Sequence, residues 1–237
     1  MAKKRAMPGS SARKKTASKA KKKAKTQAKP KRKTIKSALL GKMETVPLGE
    51  VATIIKGTIV ASENSPKAVR VKIATPSDLP LSGFVQGASK GVKLKEGLIN
   101  LRKYFLQPYD VLFPAVGNFS KIGIMPEKVS GKWMPNQTLF ILRFDENKKD
   151  YAIAVLMFLK SDVGQKIIKG LETGKKLKII AKSIFSVLEI PVFSPENIKL
   201  AKAEFAKECR MYDKIVAAKA DIAEIRKLYL SGSKKKK

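Results

Sequence analysis

Side chains that can form hydrogen bonds are concentrated in the predicted turns of this sequence. Asparagine and glutamine can pair with adenine and lysine with guanine, while most lysines only hold phosphate. The pattern therefore favours contact with nucleic acid, and a solvated surface is the alternative for each residue alone. The candidates are Asn118, Ser120 and Lys121 in one turn, Lys132, Asn136 and Gln137 before a strand, and Lys175, Lys176 and Lys178 after a glycine.

Residues for catalysis are scarce. The chain has no histidine and one cysteine, Cys209, which excludes an intrachain disulfide, the usual metal-ligand clusters and histidine-based catalysis. "GLETGKK" (170–176) is one residue short of a phosphate loop and lacks its Ser or Thr, "ENK" (146–148) lacks the upstream "PD" of a nuclease, and no methylase motif occurs. We expect a non-enzyme without cofactor or metal; an unrecognised nuclease is the alternative.

Charge is the strongest signal in the composition. Lys and Arg number 51 against 19 Asp and Glu, a net charge of +32 in 237 residues. Such a balance favours a polyanionic partner, nucleic acid before an anionic membrane surface. No apolar run approaches the roughly 18 residues that a membrane span needs. We expect a cytoplasmic, nucleoid-associated protein in a reducing cell, without a membrane partner.

The two ends of the chain are the most basic parts. Residues 1–43 contain 17 Lys and Arg and no acid, a composition that predicts a disordered lysine-rich tail. Residues 231–237 form a second, basic tail. The long tail is interpreted as a non-specific DNA or RNA tether, as a solvated extension, or as a targeting or expression-derived segment. The body between the tails is basic too.

Strands are predicted throughout the first part of the body. "VPLGEVATIIKGTIV" (46–60) reads as strand, turn and strand, and "AVRVKIAT" alternates apolar residues with Arg70 and Lys72. "YFLQPYDVLFPAVGNFSKIGIM" (104–125) predicts two strands around a turn, residues 138–144 another, and "EIPVF" (189–193) a last one. With the helices below, the fold class is α+β.

Two helical segments follow. After Asp150 as N-cap, one amphipathic helix with a core-facing stripe is predicted, with a break near Ser161 as the variant; the stripe is Val155, Leu156, Leu159, Val163, Ile167 and Leu171. Ser194 as N-cap and Pro195 then begin a helix over 194–230, about 50 Å long. Its stripe predicts pairing with another helix, with packing on its own body as the alternative. The dimerisation candidates are Phe205, Tyr212, Ile215, Ile222, Ile225 and Tyr229.

Motifs in collinear order between residues 46 and 230 resemble one family. They are "VPLGEVATIIKGTI", "YDVLFPAVGNFSKIGIM", "NQTLFILRF" and "DYAIAVLMFLKSDVGQKIIKGLETGKKLKIIAKSIFSVLEIPV", followed by the long helix. Members of that family carry "PLG", "GDVL", a "G...GK" turn, "NQ" before a strand, "YL...LKS..G" and "IPLP" in this order. The chain is similar to one half of the DNA specificity subunit of type I restriction-modification systems.

The resemblance implies a target recognition domain over 44–193, which grips half of a bipartite double-stranded DNA site, and a dimerisation and spacer helix over 194–230. It implies a non-catalytic role that directs separate methylase and nuclease subunits. Because the family's subunits have two recognition domains and two long helices, a half-subunit implies a homodimer. Residues 138–171 would be scaffold, and the glycine turn at 170–178, with other loops, would face DNA.

Three features depart from the family. Tyr109 stands where the family favours Gly before "DVL", which would alter a turn. "IPVFSPENIK" replaces "IPLP", so Val192 and Phe193 put the usual helix start in doubt. The lysine-rich tail lies outside the family pattern. The alternative function is a non-specific nucleic-acid-binding, nucleoid-associated or histone-like protein that uses this tail.

Overall fold

The computed structural model describes residues 38–59, 68–88, 90–94 and 99–233. These residues belong to one compact unit, Lys33–Lys237. Most of the predicted N-terminal tail and the last four residues of the C-terminal tail lie outside the described residues. Among the described helices, none is long and apolar enough to cross a membrane.

Strands and helices are mixed along the chain, which confirms the α+β class. Short 3-10 turns accompany the main elements. They are Ala38–Leu40, Pro76–Asp78, Ile99–Tyr104 and Glu146–Lys148. The main elements are β1 (Thr45–Pro47), α1 (Leu48–Val51), β2 (Thr53–Lys56), β3 (Val69–Ala74), β4 (Lys90–Leu94), β5 (Val111–Pro114), β6 (Gly123–Ile124), β7 (Lys132–Pro135), β8 (Leu139–Arg143), α2 (Lys149–Lys160), α3 (Asp162–Leu171), α4 (Lys182–Ser186), β9 (Glu189–Pro191) and α5 (Pro195–Ser233).

The strands of the described residues form three small sheets. The largest is antiparallel, with the order β2-β8-β5-β6, and its two central strands are buried almost throughout. A second has the order β4-β3-β7, with β3 and β7 parallel, and β1 pairs with β9. The helices α2 and α3 add their apolar faces to the core on the largest sheet.

The predicted strands are confirmed with small changes of boundary. In β3, Val71 and Ile73 are buried while Arg70 and Lys72 are exposed, as the alternation predicts. The first segment differs, because the helical turn α1 rather than a plain turn separates β1 from β2. A Cβ at Gly49 in this turn would lie 2.8 Å from the Ser186 carbonyl oxygen, so α1 can approach α4 only through glycine.

The predicted single helix after residue 150 is two helices. Ser161 breaks it: its hydroxyl donates to the Phe158 carbonyl at 2.7 Å and accepts from the Gly164 N–H at 3.1 Å, which caps α3. The Asp150 N-cap is wrong, because α2 begins at Lys149. Asp150 lies instead in the first turn, where a carboxylate is favourable beside the helix dipole. Val163 leaves the predicted stripe and is 40% exposed, because the break rotates α3 relative to α2.

The start of α5 is as predicted. Pro195 is its first residue, and the Asn197 N–H donates to the Ser194 hydroxyl at 3.3 Å. The doubt raised by Phe193 disappears, because its ring packs 5.4 Å from that of Tyr151 and 6.3 Å from that of Phe158. These contacts fix the helix start on α2.

The first part of α5 packs on the body. Phe205 is 3% exposed, and its ring meets that of Phe84 edge to face at 5.2 Å. Phe205 is therefore a core residue and not free to meet a second helix, which corrects its prediction as a dimerisation residue. Tyr212 is half-buried, whereas Ile215, Ile222, Ile225 and Tyr229 are exposed.

The N-terminal boundary of the body lies earlier than the sequence suggests. Leu40 is 2% exposed and belongs to the main hydrophobic core. Its burial stabilises the body by about 2 kcal/mol on the usual scale for a leucine side chain. A truncation that removes the basic tail and keeps the core therefore ends at residue 37, not at 43.

Candidate nucleic-acid interface

Two of the predicted turns meet at the same end of the largest sheet. The last residue of β5, Pro114, pairs with the first residue of β8, Leu139, and the Ala115 N–H donates to the Thr138 carbonyl at 2.7 Å. The turn after β5 (115–122) and the turn before β8 (136–138) are thus neighbours, because the two strands are antiparallel. We call this edge of the sheet the loop end.

The glycine loop after α3 joins the same end. Thr173 and Ile179 exchange backbone hydrogen bonds of 3.0 and 2.9 Å, which closes a five-residue loop at 174–178. The Gly117 N–H donates to the Lys178 carbonyl at 2.9 Å, and the Ile180 N–H donates to that of Ala115 at 3.0 Å. The loop that carries three predicted lysines is therefore fastened to the turn that carries Asn118 and Ser120.

Glycines make this close approach possible. Gly174 has φ +91°, and a Cβ there would lie 2.3 Å from the Leu177 carbonyl oxygen, so the loop needs glycine at its first position. At the end of β2, a Cβ at Gly57 would lie 1.9 Å from the Asn136 carbonyl oxygen. The glycines thus bring three chain segments together at the loop end.

The two predicted asparagines form turns. The Asn118 side-chain oxygen accepts from the N–H and the hydroxyl of Ser120, at 2.9 and 2.7 Å. The Asn136 side-chain oxygen accepts in the same way from Thr138, at 3.1 and 2.8 Å. Since this oxygen is engaged, bidentate pairing with adenine is disfavoured at both positions. Gln137 is exposed and has no hydrogen-bond partner among the described residues.

Helix α3 contributes cations that sequence reasoning missed. A pocket of about 360 Å³ lies between α3 and the turn after β5, and Lys166 and Lys169 line it. Gln165 fastens the turn to α3, because its side-chain amide donates to the carbonyls of Phe119 at 3.3 Å and Leu159 at 2.7 Å. Lys166 and Lys169 fall outside the apolar stripe of α3, and this spacing was the signal in the sequence that could have identified them.

The loop end carries more positive than negative charge. Lysines outnumber carboxylates six to two around the joined turns and the pocket; they are Lys121, Lys166, Lys169, Lys175, Lys176 and Lys178, against Asp162 and Glu172. None of the six lysines has an ion-pair partner within the described part of the chain. An anionic backbone can therefore be bound here without breaking an internal ion pair.

Lys132 is the predicted residue that lies apart. It begins β7, whereas the loop end adjoins Asn136, just past the other end of that strand. Four residues of strand separate the two by about 13 Å. Lys132 instead lies 5.9 Å from the centre of the Phe105 ring. The structure thus brings together eight of the nine predicted residues and leaves Lys132 on another surface.

The motif residues used for the family resemblance lie at the loop end and at the opposite end of β5. Asp110 of "YDVL" is buried at the start of β5, Ser161 and Gly164 of "LKSDVG" make the α2–α3 break, and Asn136 of "NQ" forms the turn before β8. Each motif builds a turn or a packing contact. The exposed side chains of the loop end lie in loops next to Asn136 and to the α2–α3 break, whereas Asp110 lies at the opposite end of β5.

Comparisons with known proteins give the following. The chain is similar to the S subunit of a type I restriction-modification system from M. genitalium, with 14% identity over 79% of this chain and 44% of that one, and a TM-score of 0.46. It is also similar to the HsdS subunit from Thermoanaerobacter tengcongensis, with 16% identity over 74% and 39% of the two chains and a TM-score of 0.44.

A third similar structure comes from work on complex assembly and conformational transition of the type I restriction-modification system; it has 16% identity, covers 78% of this chain and 43% of that one, and has a TM-score of 0.48. The chain thus spans about two fifths of each of these three chains. No family model and no curated protein matches the sequence. All three similar structures are described as belonging to type I restriction-modification systems.

Proposed function

We propose that this chain recognises one half of a bipartite double-stranded DNA site as a half-length specificity subunit of a type I restriction-modification complex. The observation that supports this best is the meeting of three predicted turns at one end of one sheet, with six lysines around them. The motif order in the sequence supports the same function, because two of the motifs, "NQ" and "LKSDVG", build turns next to this site.

The side chains at the loop end divide into two roles. The lysines neutralise phosphates, which positions the duplex but carries no sequence information. Gln137, with its amide free, is the best placed to read a base edge in the major groove. The chain itself is not catalytic in this proposal, and methyl transfer and cleavage belong to separate methylase and nuclease subunits.

A second copy of the chain completes the proposed site. Helix α5 has 39 residues, which gives a length of about 58 Å at 1.5 Å per residue. Its second half carries exposed apolar side chains, among them Ile215, Ile222 and Ile225. Pairing with the same helix of another copy removes this surface from water and carries one recognition domain at each end. The proposed target is then a two-part palindrome.

Selection from a random duplex pool tests the proposal. We expect the full-length protein, at moderate salt and with competitor DNA, to enrich two short half-sites of opposite orientation at one fixed spacing. Gln137→Ala should change the base preference at one position of each half-site, whereas Lys175→Gln should weaken binding to every sequence alike. A pool that shows no enriched sequence would reject sequence-specific recognition.

The net charge favours the second candidate, a non-specific nucleic-acid-binding protein. Sixteen of the 51 basic residues lie in residues 1–37. Removal of these residues should abolish most binding if the tail is the binding element. If the loop end is the binding element, the truncated protein keeps its enriched sequence and loses mainly its affinity for random duplex.

A further inference from the structure

The sheet β4-β3-β7 presents three cations on one face. Its three strands carry five basic residues and no Asp or Glu. Paired residues of a ladder point to the same face, and Arg70 pairs with Lys93 while Lys72 pairs with Gly91. All four residues are exposed. We call these four residues together the cationic face.

Two of these cations stand directly opposite each other. The Cβ atoms of such a pair are about 5 Å apart, and like charges in this position destabilise a sheet. Neither Arg70 nor Lys93 has an ion-pair partner within the described part of the chain. Lys72 is the diagonal neighbour of Lys93, at about 7 to 8 Å. The free protein therefore bears an electrostatic cost at this face that a bound anion would remove.

The positions of Arg70 and Lys72 on this face are defined by contacts. A Cβ at Gly91 would lie 3.6 Å from Arg70 Nε, so the arginine side chain lies over the bare backbone of this glycine. The Lys72 ammonium lies 4.9 Å from the centre of the Trp133 ring and donates to the Ser130 carbonyl at 3.2 Å. An ammonium has three donors, so two of them remain for a ligand.

Protection of an edge strand explains only part of this pattern. Lysines on an edge strand prevent its pairing with other chains, and β4 is an edge strand of this sheet. Lys93 fits that role. Arg70 and Lys72 belong to β3, which is paired along both sides and needs no such protection. A polyanionic partner accounts for the cations of both strands.

The cationic face begins close to the loop end. The last residue of β3, Ala74, accepts a hydrogen bond of 2.9 Å from the Asn136 N–H. Arg70 lies four residues before Ala74, which is about 13 Å along the strand. A DNA duplex rises by about 3.4 Å per base pair, so this distance corresponds to about four base pairs. The backbone beside a half-site at the loop end is therefore within reach of the cationic face.

We propose that the cationic face is a second phosphate-binding site, which holds the DNA backbone just outside the half-site. The proposal rests on the proposed function, because the loop end must hold the half-site itself. Arg70 can bind one phosphate through two N–H groups, and Lys93 adds a second charge beside it. Such contacts carry no sequence information. The site therefore raises affinity and fixes the direction of the duplex without adding a base preference.

Removal of equal charge from the two faces of this sheet tests the proposal in the full-length chain. Arg70→Gln with Lys93→Gln removes two charges from the cationic face. Lys90→Gln with Lys132→Gln is the matched control, because the ladder register places both lysines on the opposite face. The probes are a duplex of one enriched half-site and the same duplex with about ten base pairs, one helical turn, added on either side.

We expect the loss of binding to depend on the added DNA. The variant of the cationic face should bind one of the two extended duplexes more weakly than wild type, with the slope of log affinity against log salt reduced by about 2. Its affinity for the half-site alone and its selected sequence should be those of wild type. The control variant should match wild type on all three duplexes.

The melting temperature of the free protein gives an independent measurement. Lys93→Gln relieves the repulsion from Arg70, so the melting temperature at low salt should rise by about 1 to 3 °C. This rise should vanish at about 1 M salt, where the charges are screened. Lys90→Gln, on the same strand and the opposite face, should leave the melting temperature unchanged.

Three results would overturn the inference. If the variant of the cationic face bound every duplex as wild type does, the face would lie in solvent, and an enriched sequence would still support the proposed function. A changed base preference would place Arg70 or Lys93 inside the half-site contact. A melting temperature of Lys93→Gln that did not rise would show that the cations are already neutralised within the chain.

Failure of the proposed function has a different signature. A selection that enriches no sequence would reject sequence-specific recognition but would leave the cationic face to be tested on random duplex. A salt slope reduced in the variant of the cationic face, and not in the control variant, would still support phosphate binding there. Equal slopes in the two variants would reject it.

Discussion

Arg143 and Asp110 form a buried ion pair between the end of β8 and the start of β5. The Arg143 Nε and Nη2 atoms donate to the two Asp110 carboxylate oxygens at 3.0 and 2.7 Å, and the carboxylate is 1% exposed. Arg143 also donates to the Phe105 carbonyl at 2.7 Å, and the Gln107 N–H donates to Asp110 at 2.7 Å. Asp110 is therefore a structural residue that fixes the loop before β5 to the central strands.

Removal of the arginine should lower the free energy of unfolding by a large amount. Arg143→Met leaves Asp110 buried without its partner, a change that costs about 3 to 5 kcal/mol. Urea unfolding followed by circular dichroism measures the loss. Lys202→Met is the matched control, because Lys202 and Asp150 form an exposed pair at 2.8 Å and such pairs contribute about 0 to 1 kcal/mol. Equal losses in the two variants would contradict the structural role of Asp110.

The loss in Arg143→Met should depend on pH. Burial raises the pKa of the Asp110 carboxyl, and Arg143 opposes this by hydrogen bonding and charge. Without Arg143 the folded-state pKa rises further above the unfolded value of about 3.9. An acid with a raised folded-state pKa is most stabilising when protonated, so the variant loses stability as pH rises through that pKa.

Urea unfolding midpoints should be measured between about pH 4 and pH 7. The midpoint of Arg143→Met should fall further below that of wild type as the pH rises. The double variant Asp110→Asn with Arg143→Met removes the titrating group and should show no such growth. A deficit that is constant with pH in the single variant would mean that Asp110 does not titrate in this range.

Two glycines of α3 should respond in opposite directions to alanine. A Cβ at Gly164 would lie 2.0 Å from the Phe158 carbonyl oxygen, so Gly164→Ala should destabilise by at least about 1 to 3 kcal/mol. At Gly170, an exposed helical position with no atom near the added Cβ, alanine should stabilise by about 0.4 to 1 kcal/mol. Thermal melting of both variants tests the α2–α3 junction, and a neutral Gly164→Ala would contradict it.

Replacing Tyr109 by glycine should not reduce the stability of the protein. Among the described non-glycine residues it alone has a positive φ, +63°. The left-handed conformation costs a non-glycine residue about 1 to 2 kcal/mol. Tyr109→Gly should therefore retain or increase stability although the contact of the ring with Lys149 is lost, whereas Tyr109→Val should destabilise. Equal melting temperatures for the Gly and Val variants would show that the backbone is not constrained here.

The salt dependence of DNA binding should separate the loop end from other surfaces. Lys175→Gln and Lys169→Gln should each reduce the slope of log affinity against log salt by about 1, because each removes one phosphate contact. Lys132→Gln lies on another surface and serves as the control, with an unchanged slope. If Lys132→Gln had the larger effect, the three-stranded sheet rather than the loop end would face the duplex.

Local patterns in the sequence were enough for most elements. The alternation in β3, the strand at β8 and the Ser194–Pro195 helix start follow from side-chain periodicity and capping, which act over a few residues. The charge of the tails and the absence of histidine are also properties of the sequence itself. For these features the local preference and the final fold agree.

Tertiary structure decided which residues share a site and which face of a helix is free. The glycine loop at 174–178 meets the turn after β5 because of long-range backbone hydrogen bonds, which no local pattern reveals. The stripe of α5 looked uniform in the sequence, yet Phe205 is in the core and Ile225 is in water. The body covers only the first part of α5. Apolar side chains with the same spacing are therefore buried in that part and exposed further along the helix. Burial depends on what packs against a side chain, and that is set by the whole fold.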